Sequence, residues 1–344
     1  MRRGGLLGGL ALAVLLAGCA ARAPDPGSEA TAPAPVAAPT PPAPKPDRPA
    51  RPTQAELMQA RAEAARQTNR AATSGPTAAS RNMRLYLATA EAGLLSRGKL
   101  RMDTNPRDIR FDAATLAQNF FRIALRNEYA PDGRRHPDGQ ETPAPLRRWT
   151  QPIRLQLEFG ASSDMAAQRR DRAEIGGYAA RLARASGHPV SLASDGGNFI
   201  VLILSEDERR AIGPRLERLI PGIPAEDVAA IRNLSPQNYC AAFAYSRGGG
   251  PEYVNAVAIL RAELPARLRT SCIHEELAQG MGLAADSLRA RPSIFNDDEE
   301  FARLTRHDEL LLRILYDPRL RPGMTQAQAE PIVHRIAAEL TGGS

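Results

Sequence analysis

Six consecutive apolar residues, Phe199-Ile200-Val201-Leu202-Ile203-Leu204, constrain the fold of this chain more than any other run. They are too few for a helix of ordinary length, and Ile200, Val201 and Ile203 are β-branched, so the run reads as a strand. It offers no polar face to water, and a strand of that kind is buried on both sides. The domain that holds it therefore needs a sheet with apolar cover above and below.

Neighbouring segments supply the rest of that sheet and its cover. Ile153-Arg154-Leu155-Gln156-Leu157-Glu158-Phe159 alternates strictly and reads as a half-buried strand closed by Gly160. Residues 189–193 form a further short strand, and 239–246 with 253–260 form a strand pair joined by Arg247-Gly248-Gly249-Gly250-Pro251. Apolar spacing predicts a helix over 111–129, ended by Pro131-Asp132-Gly133, and another over 163–186 with Asp164 near its start and Gly187 at its end. A helical insertion covers 206–234, and the chain closes with helices over 308–316 and 326–340. Arg306-His307-Asp308-Glu309 is a helix start, with acids in the first turn where the helix dipole favours them.

Between the strand pair and the last helices lies Cys272-Ile273-His274-Glu275-Glu276-Leu277-Ala278-Gln279-Gly280-Met281-Gly282-Leu283. Here ionisable and amide side chains recur at helical spacing beside glycine. On a helix turning about 100° per residue, His274 and Gln279 point about 140° apart, whereas Glu275 and Gln279 lie about 40° apart and converge. The His274-Glu275 pair matches the start of the zinc-binding HExxH helix, which needs a second imidazole four residues on. Position 278 is alanine.

Read one residue later, Glu275-Glu276-x-x-Gln279-x-x-Gly282 falls on the metzincin pattern HExxHxxG, with Glu275 and Gln279 at the two histidine positions and Glu276 at the general base. Ser293-Ile294-Phe295-Asn296-Asp297 resembles the metzincin Met-turn with Phe295 in place of methionine, and so a hydrophobic floor beneath a site. With Cys272, these residues make the chain similar, over 146–324, to the bacterial domain of unknown function family 2927. The resemblance implies an α+β fold of zincin-like, metalloprotease type, with a mixed sheet packed on helices and an active-site-type helix over 271–282. The order of strands and helices leading into that helix also resembles the upper subdomain of a zincin.

Under this resemblance Glu276 is the candidate catalytic residue, and Glu275, Gln279 and Asp286 are candidate metal ligands. A carboxylate and an amide are hard oxygen donors, suited to calcium, magnesium or manganese rather than to zinc. Asp286, Asn296, Asp297 and His307 are the nearest downstream groups to complete such a set. Without a metal, Glu276 would act as general base while Gln279 polarises a carbonyl, as in peptidases that pair Glu with Gln. In a third reading the same side chains hydrogen-bond to the sheet edge and the domain is a pseudoenzyme. His274 and the remaining histidines, His136, His188 and His334, carry no assigned role.

The chain begins with two arginines, an apolar run over 6–17 and Leu16-Ala17-Gly18-Cys19, which reads as a lipoprotein signal peptide over 1–18. That run is too short to span a hydrocarbon core of ~30 Å. Cys19 is then the lipidated first residue of the mature chain, and Ala20 after it resembles the sorting of lipoproteins to the outer membrane of a Gram-negative envelope. Residues 19–53 are dominated by alanine and proline, a disordered tether extending ~3.1 Å per residue to roughly 100 Å. Residues 54–80 form an alanine-rich helical stalk or linker, and 81–344 the domain.

Cys240 and Cys272 are the two cysteines that remain after processing, and an even pair in an oxidising compartment reads as a disulfide. The alternative is a thiolate at Cys272 beside His274. The +7 formal charge rests on 43 arginines and two lysines dispersed among 38 acids, with no basic run interleaved with aromatics, so nucleic acid is excluded as a partner. Two functions follow as expectations. One is a divergent metal-dependent or glutamate-dependent envelope peptidase using Glu276; the other is an inactive zincin-like module that binds an envelope protein or peptide.

Overall fold

The computed structural model describes residues 75–127 and 142–342, together with the isolated Gln59. The expected signal peptide, the lipidated Cys19, the tether over 19–53, most of the stalk over 54–80 and the turn at 131–133 lie outside the described residues. Among those described, no helix is long and apolar enough to cross a membrane.

In chain order the domain opens with helices α1 (Ala78–Ser96) and α2 (Ala113–Ala124) and the short strands β1 (Arg126–Asn127), β2 (Thr142–Pro143) and β3 (Arg148–Trp149). Then come β4 (Ile153–Phe159), α3 (Met165–Ser186), β5 (Val190–Ala193) and β6 (Phe199–Leu204). An insertion of three short helices follows: α4 (Glu206–Ala211), α5 (Gly213–Leu219) and α6 (Ala225–Arg232). Strands β7 (Cys240–Ser246) and β8 (Glu252–Arg261) lead into α7 (Ala266–Gln279), and α8 (Arg306–Leu315) and α9 (Gln326–Thr341) close the domain.

The sheet runs β3-β8-β6-β4-β5 with every neighbouring pair parallel, and β7 joins β8 antiparallel. Because β3 meets β8 only at Arg148↔Glu252 and Trp149↔Tyr253, β7 forms the edge from Ser246↔Tyr253 to Cys240↔Leu260. This mixed α and β architecture with a mostly parallel sheet is compatible with the expected α+β class.

Two cores flank the sheet. On one face Ile153, Leu155, Phe199, Val201, Ile203, Ala256, Ala258 and Leu260 pack with α3, α7, α8 and their neighbours. On the other, Ile200, Leu202, Leu204, Val257 and Ile259 meet Ile212, Leu216, Ile220, Val228 and Ile231 of the insertion. The run Phe199–Leu204 is therefore covered on both sides, and all six of its residues are buried. The insertion is what supplies the second cover.

Two expected boundaries shift. The helix predicted over 111–129 stops at Ala124, because Arg126 and Asn127 pair in a strand with Pro143 and Thr142. The helix predicted over 271–282 runs instead from Ala266 to Gln279. It starts early because the carboxylate of Glu91, on α1, accepts from the backbone N–H of Arg267 and Leu268 at 2.8 and 2.9 Å, satisfying first-turn donors that no local residue caps. It stops at Gln279 because Gly280 lies against Phe199, where a Cβ would come within 2.3 Å of the ring, and Gly282 takes φ 121°, the left-handed side that favours glycine. Trp149 fixes this turn by donating its indole N–H to the Gly280 carbonyl at 2.8 Å while stacking on Phe199.

Candidate functional site

Helix α7 presents two chemically different faces. Leu277, Met281 and Leu283 pack into the main core, as does His274, whose ring stacks on Tyr178 with centroids 3.9 Å apart. The His274 Nδ1 accepts from the Leu304 backbone N–H at 3.1 Å. Burial, with the charges of Arg181 and Arg303, pushes its pKa down to about 3, so His274 is a neutral structural acceptor turned away from the polar face. Ser271, Glu275, Glu276 and Gln279 line the opposite side, a cleft of about 1350 Å³ beneath the edge strand β7.

That cleft is acidic. Among the described residues Glu226, Asp227, Glu275, Glu276, Asp286, Asp297, Asp298 and Glu299 line it, against a single basic residue, Arg97. Gln279 donates its amide to Asp286 at 3.0 Å, joining two elements of the wall. Burial, followed by the charges of Asp286, Glu299 and Glu276, pushes the Glu275 carboxyl well above the ordinary glutamate value. Burial and the adjacent Asp297 and Asp298 push Glu299 up to about 7. Glu299 also holds a left-handed backbone, φ 58°, which costs a non-glycine residue roughly 1 kcal/mol or more. The Ser271 hydroxyl is buried and has no hydrogen-bond partner among the described residues.

The expected Cys240–Cys272 disulfide is present, with Cα atoms 5.8 Å apart. It ties β7 to the second turn of α7, so Cys272 does not open the helix as its sequence position implies. With the sulfur committed to that bond, a Cys272 thiolate nucleophile is not available. Cys240 Sγ lies within 4.8 Å of carboxylate oxygens of both Glu275 and Glu276, which are within 4.8 Å of each other.

A zincin-type zinc ion does not fit these donors. Among the described residues no imidazole lines the cleft, both sulfurs are in a disulfide, and the one histidine of α7 faces the core. Zinc sites are built from such nitrogen and sulfur ligands, whereas carboxylate and amide oxygens suit hard divalent cations. Glu275, Glu276 and Asp286, with Gln279, are the residues that would hold one.

Of the downstream groups, Asp286 and Asp297 reach the cleft. Asn296 instead donates to the Ala290 carbonyl at 3.0 Å, and His307 sits fully buried between Asn119 and Asp308 at 3.1 and 3.3 Å. Asp308 accepts from Ser293 Oγ at 2.6 Å and from the Ile294 N–H at 3.0 Å, so the Ser293–Asp297 turn is held by the start of α8, while Phe295 is fully buried. Sequence reading did not place Glu226, Asp227, Asp298 or Glu299. The run Asp297-Asp298-Glu299-Glu300 was the available signal for two of them, and nothing local marks the pair on α6.

Along its length the edge strand alternates: Cys240 and Ala244 pack toward α7, Phe243 and Tyr245 toward the insertion. Its outer side pairs with no strand among the described residues. At the Ser246 end a second cavity of about 200 Å³ shares Ala242, Gln279 and Ala284 with the cleft and is lined by Arg126 and Arg147. The groove under β7 is thus acidic at the Cys240 end and basic at the other.

A family model with the description "Protein of unknown function (DUF2927)" matches residues 113–335. No curated protein and no solved structure matches the chain.

Proposed function

The chain belongs to the domain of unknown function family 2927, and from that premise we propose that it is an outer-membrane lipoprotein whose zincin-like domain binds an extended, basic peptide segment of an envelope protein. Support for the zincin-like reading comes from the order of elements: a mostly parallel sheet with one antiparallel edge strand, bridged by a disulfide to the helix that carries Glu275, Glu276 and Gln279.

The observation that carries the binding function is the edge strand itself. Cys240-Ala241-Ala242-Phe243-Ala244-Tyr245-Ser246 has none of the charges or prolines that blunt an open edge, and its outer backbone, which pairs with no strand among the described residues, is a template for an added strand. Beneath it the carboxylates attract basic side chains, and Arg126 and Arg147 at the far end suit an acidic residue or a terminal carboxylate. The charge arrangement gives the peptide a direction as well as a composition.

One observation favours a second reading. Glu275 and Glu276 have carboxylate oxygens within 4.8 Å of each other, and burial with the neighbouring acids raises the Glu275 carboxyl well above its ordinary value, which favours an acid beside a base. In that reading Glu276 is the general base of a metal-free hydrolase.

Fluorescence anisotropy with an arginine-rich peptide and its charge-reversed counterpart tests the proposal. The basic peptide binds, weakens as salt rises and emerges uncleaved. Equal affinity for the two peptides contradicts the binding reading, and cleavage that is lost in Glu276→Gln moves the assignment to the hydrolase.

A further inference from the structure

Next to the acidic cleft, with which it shares Asn233, Leu234 and Ser235, residues of α1, α4 and α6 line a third cavity of about 600 Å³ that includes Arg209, Arg210 and Arg232. Its electrostatics are unbalanced. The carboxylate of Glu206 is shared by three guanidiniums: Arg209 and Arg210 on Oε1 at 2.8 and 2.9 Å, and Arg261 on Oε2 at 2.5 Å. Glu263 lies next to this group, accepting from the Glu206 backbone N–H at 2.8 Å. Among the described residues this group therefore sets two carboxylates against four arginines once Arg232 is included, and Arg232 is fixed to the rim by its Nε donating to the Arg210 carbonyl at 2.8 Å.

Arg209 and Arg261 are almost fully buried and balance the buried Glu206 and Glu263, so the excess sits on Arg210 and Arg232, which are exposed at the rim. Burial and the neighbouring Arg209 charge hold Arg261 below the ordinary arginine value in spite of Glu206. A second observation points the same way: the Nε of Arg209, 1% exposed, has no hydrogen-bond partner among the described residues. Buried donors without acceptors are rare enough to need a reason. Arg232 has no acceptor among the described residues for its terminal nitrogens, and Asn82 and Asn233 add amide donors to the same wall.

We infer that this cavity is an oxyanion site that takes a phosphate group, with Arg210 and Arg232 as its binding residues and the buried Arg209–Glu206–Arg261 network as its charged floor. Guanidinium forks match the tetrahedral oxygens of phosphate, and the site's excess of positive charge is what such an anion neutralises. The phosphate can be a free ion or a lipid headgroup. Tyr86 on the rim and the exposed Leu85 beside it on α1 suit the second source, since they would meet the apolar side of a headgroup layer.

The test uses the chain from Ala20 onward, so that neither an acyl chain nor the apolar run over 6–17 contributes to membrane binding. Calorimetric titration with inorganic phosphate and flotation with phosphatidylglycerol-containing or pure phosphatidylcholine vesicles are compared with the Arg210→Gln/Arg232→Gln variant. Thermal unfolding confirms that the variant folds, and Arg232→Gln alone replaces it otherwise. The expected result is binding of phosphate, of phosphatidylglycerol vesicles, or of both, weakened at least tenfold in the variant. Phosphate binding alone identifies a free ion, and vesicle binding alone a headgroup. Failure to bind either probe, or equal binding by the variant, overturns the assignment.

Discussion

Crowding of carboxylates decides what the cleft residues do. Glu275 and Glu299 are both raised, most by burial and then by the charges of neighbouring acids. A carboxyl raised from its ordinary 4.5 to about 7 binds more protons in the native than in the unfolded state across that window. Its contribution to stability is present below pH 4.5 and is lost as pH rises toward 7. His274 acts in the opposite sense: a value near 3 against an ordinary 6.5 means that stability falls as pH drops through that range. The two overlap, so the difference between variants is the useful reading. We expect Glu299→Gln to gain thermal stability relative to the parent as pH is raised from 4.5 to 7, in a series of unfolding curves; a constant offset would show that Glu299 is not raised. The helical spacing made the convergence of Glu275 and Gln279 legible in the sequence, because an angle of about 40° follows from helix geometry alone. The Glu226 and Asp227 carboxylates were not legible, since their place opposite α7 depends on how the insertion folds back over the sheet.

Elements were read in proportion to how local their causes are. The strand Phe199–Leu204 and its double burial were plain, because an unbroken apolar run has one stable environment. Ile153–Phe159 was equally plain from its alternation, and Arg154 and Glu158 do keep their side of β4 polar. Helix α7 was misplaced by five residues at its start because Glu91, 176 residues away, caps it, and no window of sequence contains that contact. The edge strand and α7 depend on each other through the Cys240–Cys272 bond, which closes a loop with a separation of 32 residues. In the loop-entropy account such a bond contributes ~3 to 4 kcal/mol. Urea unfolding of Cys240→Ala/Cys272→Ala should therefore show a loss of about that size; a loss under ~1 kcal/mol would mean that packing alone holds the helix to the strand.

At the scale of the whole molecule, charge is segregated. In a chain with a formal charge of +7, eight carboxylates and one arginine among the described residues line the main cleft, and arginines concentrate around another cavity. Net charge and its dispersal along the chain serve only to exclude nucleic acid, and the segregation appears once the fold is known. The lipoprotein reading rests on the first nineteen residues and is independent of the domain. Cys19→Ala should release the protein from membrane fractions while leaving its unfolding temperature unchanged; retention in the outer-membrane fraction at high salt would remove the anchor assignment. The central claim, that the open edge strand above an acidic cleft receives an extended basic peptide, is tested most directly by measuring the affinity of Ala242→Pro for the arginine-rich peptide. Proline in an edge strand removes a backbone donor while leaving the covered strands β6 and β8 intact. The account predicts at least a tenfold loss of affinity with the fold retained by circular dichroism, and undiminished binding by this variant would contradict it.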